Sequence, residues 1–133
     1  MIAPIVLVAT LVAPDPAPLR TALERCDRGA IAALTAIEPK RRAAFSGAAY
    51  DEQRAIATER AQLDAGLLGE GGAVASQPGP APAAGDRVRA ALEARQRRLD
   101  DARTVERAWR ESLEDGRAAF LAQCTGRRDG NQP

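Results

Sequence analysis

The chain has 133 residues, a net charge of +1 and no histidine. This length fits a single domain, and the balanced charge excludes a global field that would recruit nucleic acid or an anionic membrane. Without histidine the chain lacks the commonest general base and the usual zinc ligand, so we expect no catalytic site, no metal and no cofactor.

The chain begins with an apolar segment, Met1–Ala13, and a proline-rich spacer that together make up residues 1–17. Thirteen residues rise about 20 Å in a helix, which is short of the roughly 30 Å needed to span a bilayer. The length suits the apolar region of a secretory signal. However, no basic residue precedes it, and proline follows each candidate cleavage site. Three alternatives stay open: a cleaved export signal, an uncleaved anchor that gives the protein its only membrane contact, or an ordinary buried segment.

Helical periodicity organises the rest of the chain into a domain at 18–125, followed by a disordered tail at 126–133. The periodicity predicts three helices. Two are placed on either side of Pro39, at 19–38 and 39–68, because proline favours a kink or break. A Pro/Gly-rich flexible loop at 69–85 separates them from a third helix at 86–123.

Each predicted helix carries an apolar stripe whose members are three or four residues apart. Two phenylalanines and one tryptophan are the only large aromatic residues in these stripes, so we expect a thin, elongated helical seam. The stripes comprise Leu23, Cys26, Ala30, Leu34 and Ile37; then Phe45, Ala49, Glu52, Ile56, Glu59, Leu63 and Leu67; then Val88, Leu92, Arg95, Leu99, Ala102, Val105, Trp109, Leu113, Gly116 and Phe120.

Two cysteines, Cys26 and Cys124, lie almost symmetrically about the loop at 69–85. An antiparallel, coiled-coil-like hairpin folded at this loop brings them to the same level, so we predict a disulfide between them. Closing so long a loop stabilises a chain by about 4 to 5 kcal/mol on the chain-entropy model. Disulfides persist in exported proteins, and the pair therefore also favours a periplasmic or secreted location.

Facing residues of an antiparallel hairpin have residue numbers with a constant sum. The pairs before and after Pro39 give sums that differ by about four, close to one helical turn, which predicts a change of register at a kink. The facing pairs would be Cys26–Cys124, Leu34–Gly116 and Ile37–Leu113, then Phe45–Trp109, Ile56–Leu99, Glu59–Arg95 and Leu63–Leu92.

The alternative fold is a three-helix bundle in which the segment 19–37 folds back onto the second helix. With a break at Pro39, this bundle separates the two cysteines by about 30 Å, whereas a disulfide needs Cα atoms within about 7 Å. On this argument the bundle and the disulfide exclude each other.

The remaining charged and aromatic residues offer few candidate sites. Adjacent carboxylates diverge by about 100° on a helix and cannot converge on a substrate, so pairs such as Glu106 with Arg110 are expected on a solvated face. We predict that Glu59 and Arg95 meet inside the seam, and that Trp109 is a core residue. The candidate residues for contact with a partner are Trp109, Arg95, Arg97 and Arg98.

These observations lead to a functional hypothesis. We expect an exported bacterial envelope protein of structural, adaptor or inhibitor type, without catalysis, whose partner is another protein or a second copy of itself. Nucleic-acid binding is not expected, because acidic neighbours surround the basic clusters and aromatic residues for base stacking are scarce. The alternative is a membrane-tethered coiled-coil spacer or assembly module that keeps Met1–Ala13 as an anchor.

Overall fold

The computed structural model describes residues 11–66 and 84–125. Within these ranges the chain forms three helices and no strand: α1 is Ala17–Glu24, α2 is Arg28–Asp64 and α3 is Ala84–Cys124. This confirms the predicted all-helical class. The predicted loop, up to residue 83, and the tail at 126–133 lie outside the described residues.

The predicted disulfide is present. Cys26 and Cys124 are bonded across a sequence separation of 98 residues, with their Cα atoms 5.5 Å apart. It ties the turn before α2 to the last residue of α3. With a break assumed at Pro39, a three-helix bundle and the disulfide were predicted to exclude each other. The two coexist because the break lies next to Cys26, between α1 and α2.

The chain turns between α1 and α2 at Arg25–Asp27. Cys26 has a φ of 50°, in the left-handed region that few residues other than glycine adopt. Asp27 then begins α2, because its side chain accepts a hydrogen bond of 2.9 Å from the backbone N–H of Ala30. An N-cap of this kind satisfies one of the donors that the first turn of a helix leaves free.

The predicted break at Pro39, with separate helices at 19–38 and 39–68, is wrong. Pro39 lies inside α2, which continues without interruption. The proline is exposed and removes one backbone hydrogen bond. The residue before a proline is biased away from helical angles, but Glu38 is held in place by several side-chain hydrogen bonds, one of them from Trp109. The tertiary contacts of Glu38 outweigh the local bias.

As the residue number increases along α2, the residue number of the contacting partner on α3 decreases. The predicted change of register across Pro39 is also wrong, because the pairs directly before and after the proline have the same sum of residue numbers. Side-chain hydrogen bonds join Glu38 to Trp109, Arg41 to Glu106, and Gln53 to Gln96.

Two apolar clusters fill the interior. The cluster near the disulfide contains Leu19, Ala22, Ile31, Trp109, Leu113 and Phe120. The second cluster contains Phe45, Ala49, Ile56, Leu63, Leu92 and Leu99. Trp109 is therefore a core residue, as predicted, but it and Phe45 belong to different clusters. Ile56 and Leu99, which were predicted to face each other, share the second cluster, and both are fully buried.

Helix α1 packs against α3 through a glycine. A Cβ atom at Gly116 would lie 3.1 Å from Cδ1 of Leu19, so the absence of a side chain permits this close approach. The nearest side-chain atoms to Gly116 thus belong to Leu19, and the predicted facing of Leu34 and Gly116 is wrong. The short α1 lies against α3 at Gly116, where Leu34 of the first predicted helix was expected.

Buried positions recur at intervals of seven residues along both long helices. In α3 they are Leu92, Leu99, Glu106, Leu113 and Phe120; in α2 they are Ile31, Glu38 and Phe45, and also Ala49, Ile56 and Leu63. Ile37 and Val105, which the sequence reading placed in the stripes, are 57% and 51% exposed. Those two assignments and the Ile37–Leu113 pair are wrong, because the glutamates next to them take the buried positions.

Candidate functional site

A buried ion cluster crosses the contact between α2 and α3. Glu38 and Glu106 are the buried charged residues of the described chain, 4% and 3% exposed. Arg41 bridges them: its Nε donates to Oε1 of Glu38 at 2.7 Å, and its Nη1 donates to Oε2 of Glu106 at 2.7 Å. Its Nη2 donates to both carboxylates, at 3.0 and 2.8 Å. A single guanidinium therefore binds two carboxylates in the bidentate geometry that arginine favours.

Further donors complete this cluster. Nε1 of Trp109 donates to Glu38 at 2.9 Å. Arg42 donates to Glu38 and Arg110 donates to Glu106, at 2.9 and 2.8 Å. Among the described residues, no buried side-chain nitrogen or oxygen lacks a hydrogen-bond partner. We call this group the Glu38 cluster; it consists of Glu38, Arg41, Arg42, Glu106, Trp109 and Arg110.

The Glu38 cluster keeps both glutamates ionised. Hydrogen bonds from Arg41, Trp109 and Arg42 outweigh the opposing effect of burial and lower the pKa of Glu38 to about 2. For Glu106, burial raises the pKa, but hydrogen bonds from Arg41 and Arg110 outweigh it, so the pKa is lowered. The pKa of Arg41 is raised by its bonds to the two glutamates. A general acid or base works best with a pKa near the operating pH, so these carboxylates suit a structural role.

A second ion cluster lies farther from the disulfide. The predicted contact of Glu59 with Arg95 is confirmed, with Nη1 donating at 2.7 Å. Arg95 also binds both carboxylate oxygens of Glu52, at 2.8 and 3.0 Å. The hydrogen bonds from Arg95 lower the pKa of Glu52. Because Arg95 connects α3 to two positions about two turns apart on α2, it fixes the relative position of the helices there.

The four residues predicted to contact a partner have different surroundings. Trp109 is buried in the first apolar cluster, and Arg95 is half-buried in its ion cluster. Arg97 and Arg98 are exposed on α3. The structure does not bring the four together on one surface, and their role in partner binding stays a prediction.

The sequence reading missed the Glu38 cluster. It placed Glu106 and Arg110 on a solvated face, but the Glu106 side chain is buried and only Arg110 is partly exposed. The signal was present in the spacing: Glu106 is seven residues from both Leu99 and Leu113. Reading the seven-residue spacing, without regard to apolar character, identifies Glu106 as a buried carboxylate that needs a cationic partner.

Three grooves lie along the contact between α2 and α3, and none of them is lined by α1. The disulfide-end groove has a volume of about 520 Å³, the central groove about 430 Å³ and the loop-end groove about 210 Å³. On α3, the disulfide-end groove is lined by Arg117, Phe120 and Leu121. The central groove is lined by Arg103, Glu106, Arg107 and Arg110, and the loop-end groove by Arg89, Leu92 and Glu93.

The grooves repeat at a fixed interval. Corresponding lining residues of neighbouring grooves are fourteen residues apart on each helix. On α3, for example, Arg117, Arg103 and Arg89 line the disulfide-end, central and loop-end grooves. Fourteen residues rise about 21 Å in a helix and amount to about four turns. The grooves therefore lie on one side of the helix pair, which we call the open face.

Residues 11–66 and 84–125 contain neither a candidate membrane span nor a candidate metal-binding cluster. No helix there is both long enough and apolar enough to cross a membrane. No group of three or more acidic or cysteine side chains in those ranges is arranged to hold a metal ion.

Comparison of the chain with protein-family models, curated proteins and solved structures finds no match.

Proposed function

We propose that the protein is an exported bacterial envelope protein of structural, adaptor or inhibitor type. It acts without catalysis, as a long antiparallel, coiled-coil-like helical hairpin that presents a surface to another protein. The observation that carries the proposal is the Cys26–Cys124 disulfide, because such bonds persist in oxidising compartments and are rare in the cytosol.

The contacts between the long helices support the hairpin. Hydrogen bonds that pair rising numbers in α2 with falling numbers in α3 are those of antiparallel neighbours. Burial at every seventh residue is typical of coiled-coil packing. The disulfide lies at one end of this hairpin and closes it where the helices would otherwise fray.

The state of the buried carboxylates supports a role without catalysis. Each glutamate of the Glu38 cluster is engaged by two arginines. A carboxylate that serves as a general acid is instead tuned towards neutral pH by burial without such partners.

A membrane-tethered spacer is the second candidate, and one contact favours the retention of the N-terminal segment that it requires. Leu11, within the apolar N-terminal segment, packs against the second apolar cluster. Removing residues 1–13 as a signal would remove this contact, whereas a retained segment keeps it. In this form the hairpin is a periplasmic assembly module held at the membrane by its N terminus.

Fractionation of an expressing bacterium separates the two candidates. Release of the protein by osmotic shock at low salt supports the soluble envelope protein. Recovery in the membrane pellet, with extraction only by detergent, supports the tethered spacer. Recovery in the cytoplasm with both cysteines reduced would contradict both forms.

A further inference from the structure

The open face has the features of a docking site for a helix. Its disulfide-end groove is lined mainly by apolar side chains, among them Ile31, Phe120 and Leu121. Leu121 is 63% exposed, which leaves a large apolar side chain in water at the edge of the groove. One step along the hairpin, the central groove offers Phe45, Ala49 and the exposed ring of Tyr50. An amphipathic helix binds such a groove through apolar residues spaced by whole turns.

The charges at these two grooves are mainly positive. Arg28 and Arg117 line the disulfide-end groove, and neither forms an ion pair with another residue of the described chain. The same holds for Arg107 in the central groove. Glu106 is the carboxylate of that groove, and Arg41 and Arg110 already neutralise it.

The loop-end groove differs from the other two. Two arginines, Arg60 and Arg89, are balanced there by two acidic residues, Asp64 and Glu93, and its volume of about 210 Å³ is less than half that of the disulfide-end groove. The surplus of positive charge and the larger apolar areas thus occur together in the two grooves nearer the disulfide.

We propose that the disulfide-end and central grooves together bind one acidic amphipathic helix of a partner protein. Its apolar residues pack on Leu121, Phe120 and Tyr50, and its carboxylates pair with Arg117, Arg28 and Arg107. Since the grooves are one fourteen-residue step apart, a partner helix of about 20 residues covers both. The proposal rests on the adaptor or inhibitor role above, and it specifies the surface and the chemistry of the partner.

Charge also decides between this partner and a second copy of the chain. In a symmetric dimer the same surface patch is present on both sides of the interface. Two copies joined through these grooves would bring their unpaired arginines, Arg28, Arg107 and Arg117, close together, where like charges repel. An acidic helix instead supplies the missing carboxylates.

The test uses a designed probe, because the natural partner is not identified. The probe is a fluorescent peptide of about 22 residues, long enough for about six helical turns, with leucine and alanine on one face and glutamate along both flanks. A matched peptide carries lysine in place of every glutamate. Fluorescence anisotropy of each peptide, titrated with the disulfide-bonded protein, measures affinity at low and high salt.

We expect the acidic peptide to bind saturably and more weakly at high salt, and the lysine peptide not to bind. Reversing two charges with Arg107→Glu and Arg117→Glu should weaken binding at least about tenfold. Leu121→Asp should weaken it similarly. The control variant Arg20→Glu with Lys40→Glu reverses two exposed charges that line none of the grooves and should bind as the wild type does. Circular dichroism confirms that each variant is folded.

Several results would overturn the proposal. Equal binding of both peptides, equal loss in the control variant, or no binding of the acidic peptide would each do so. Light scattering that gives a dimer dissociated by Leu121→Asp would identify a second copy as the occupant. Sedimentation with anionic lipid vesicles, lost in the two-arginine variant while the acidic peptide fails to bind, would identify a lipid surface. None of these results bears on export or on the disulfide, so failure here is distinguishable from failure of the proposed function.

Discussion

Replacing Glu38 by glutamine tests how far the buried ion cluster stabilises the fold. The substitution keeps the side-chain volume and an oxygen that can accept from Trp109, but it removes the charge that Arg41 and Arg42 bind. The pKa of Glu38 falls from an ordinary value of 4.5 to about 2 in the folded chain. At 1.36 kcal/mol for each pH unit, this difference corresponds to about 3 kcal/mol of stability. The carboxylate is 5% exposed, so water screens the interaction little.

The sign of the pH dependence follows from the lowered pKa of Glu38. Its stabilisation is complete above the pKa of the unfolded chain and is lost as the pH falls towards 2. At neutral pH, Glu38→Gln should therefore be less stable than the wild type by about 3 kcal/mol. Below about pH 2 the two proteins should become similar, because Glu38 is then protonated in both states. Glu106 also titrates in both proteins, but it shares Arg41 with Glu38, so the difference reports the coupled Glu38 cluster and not Glu38 alone.

Urea denaturation followed by circular dichroism, repeated from neutral pH down to about pH 2, measures this difference. Glu111→Gln is the matched control, because Glu111 is an exposed glutamate of α3; it should change stability by less than about 0.5 kcal/mol. A Glu38→Gln effect as small as that of the control would refute the reasoning. So would a large effect that stays the same in acid, since it would come from packing and not from charge.

Four other substitutions test separate parts of the fold by thermal unfolding. Cys26→Ser opens the loop closed by the disulfide and should cost up to about 4 to 5 kcal/mol; an unchanged melting temperature would mean that the bond is absent or without effect. Gly116→Leu places a side chain where Leu19 now lies and should destabilise by about 1 to 3 kcal/mol. Gly47→Ala, with open space around it, should stabilise by about 1 kcal/mol, and equal effects at the two glycines would contradict the packing of α1. Pro39→Ala restores a helical hydrogen bond and should stabilise; a lower melting temperature would mean that the proline shapes α2.

The sequence predicted the features that depend on spacing along the chain. Spacings of three and four residues predicted the helices, and the symmetric position of Cys26 and Cys124 predicted the disulfide. The contact of Glu59 with Arg95 also followed, because the predicted register placed these two residues opposite each other. These features can be predicted because they depend on the periodicity of the sequence and on the geometry of the chain.

The sequence reading failed where a tertiary contact outweighs a local rule. Proline is expected to break a helix, yet α2 continues through Pro39. It does so because Glu38 is held by contacts from residues distant in sequence, such as Trp109. The true turn at Cys26 has no glycine or proline to mark it; a cysteine with positive φ and the capping Asp27 form it. Ile37 and Val105 were predicted to be core residues because they are apolar. The seven-residue spacing of buried positions instead places the neighbouring Glu38 and Glu106 inside.

The most direct test of the account is the intact mass of the protein recovered from the envelope of an expressing bacterium. Mass spectrometry is carried out after alkylation, with and without prior reduction. The account predicts that neither cysteine is alkylated until the protein is reduced, after which both Cys26 and Cys124 are. The same spectrum reports whether the N-terminal segment is present, which separates the soluble from the tethered form. Two free thiols before reduction, in protein found only in the cytoplasm, would contradict the disulfide-closed hairpin and its export together.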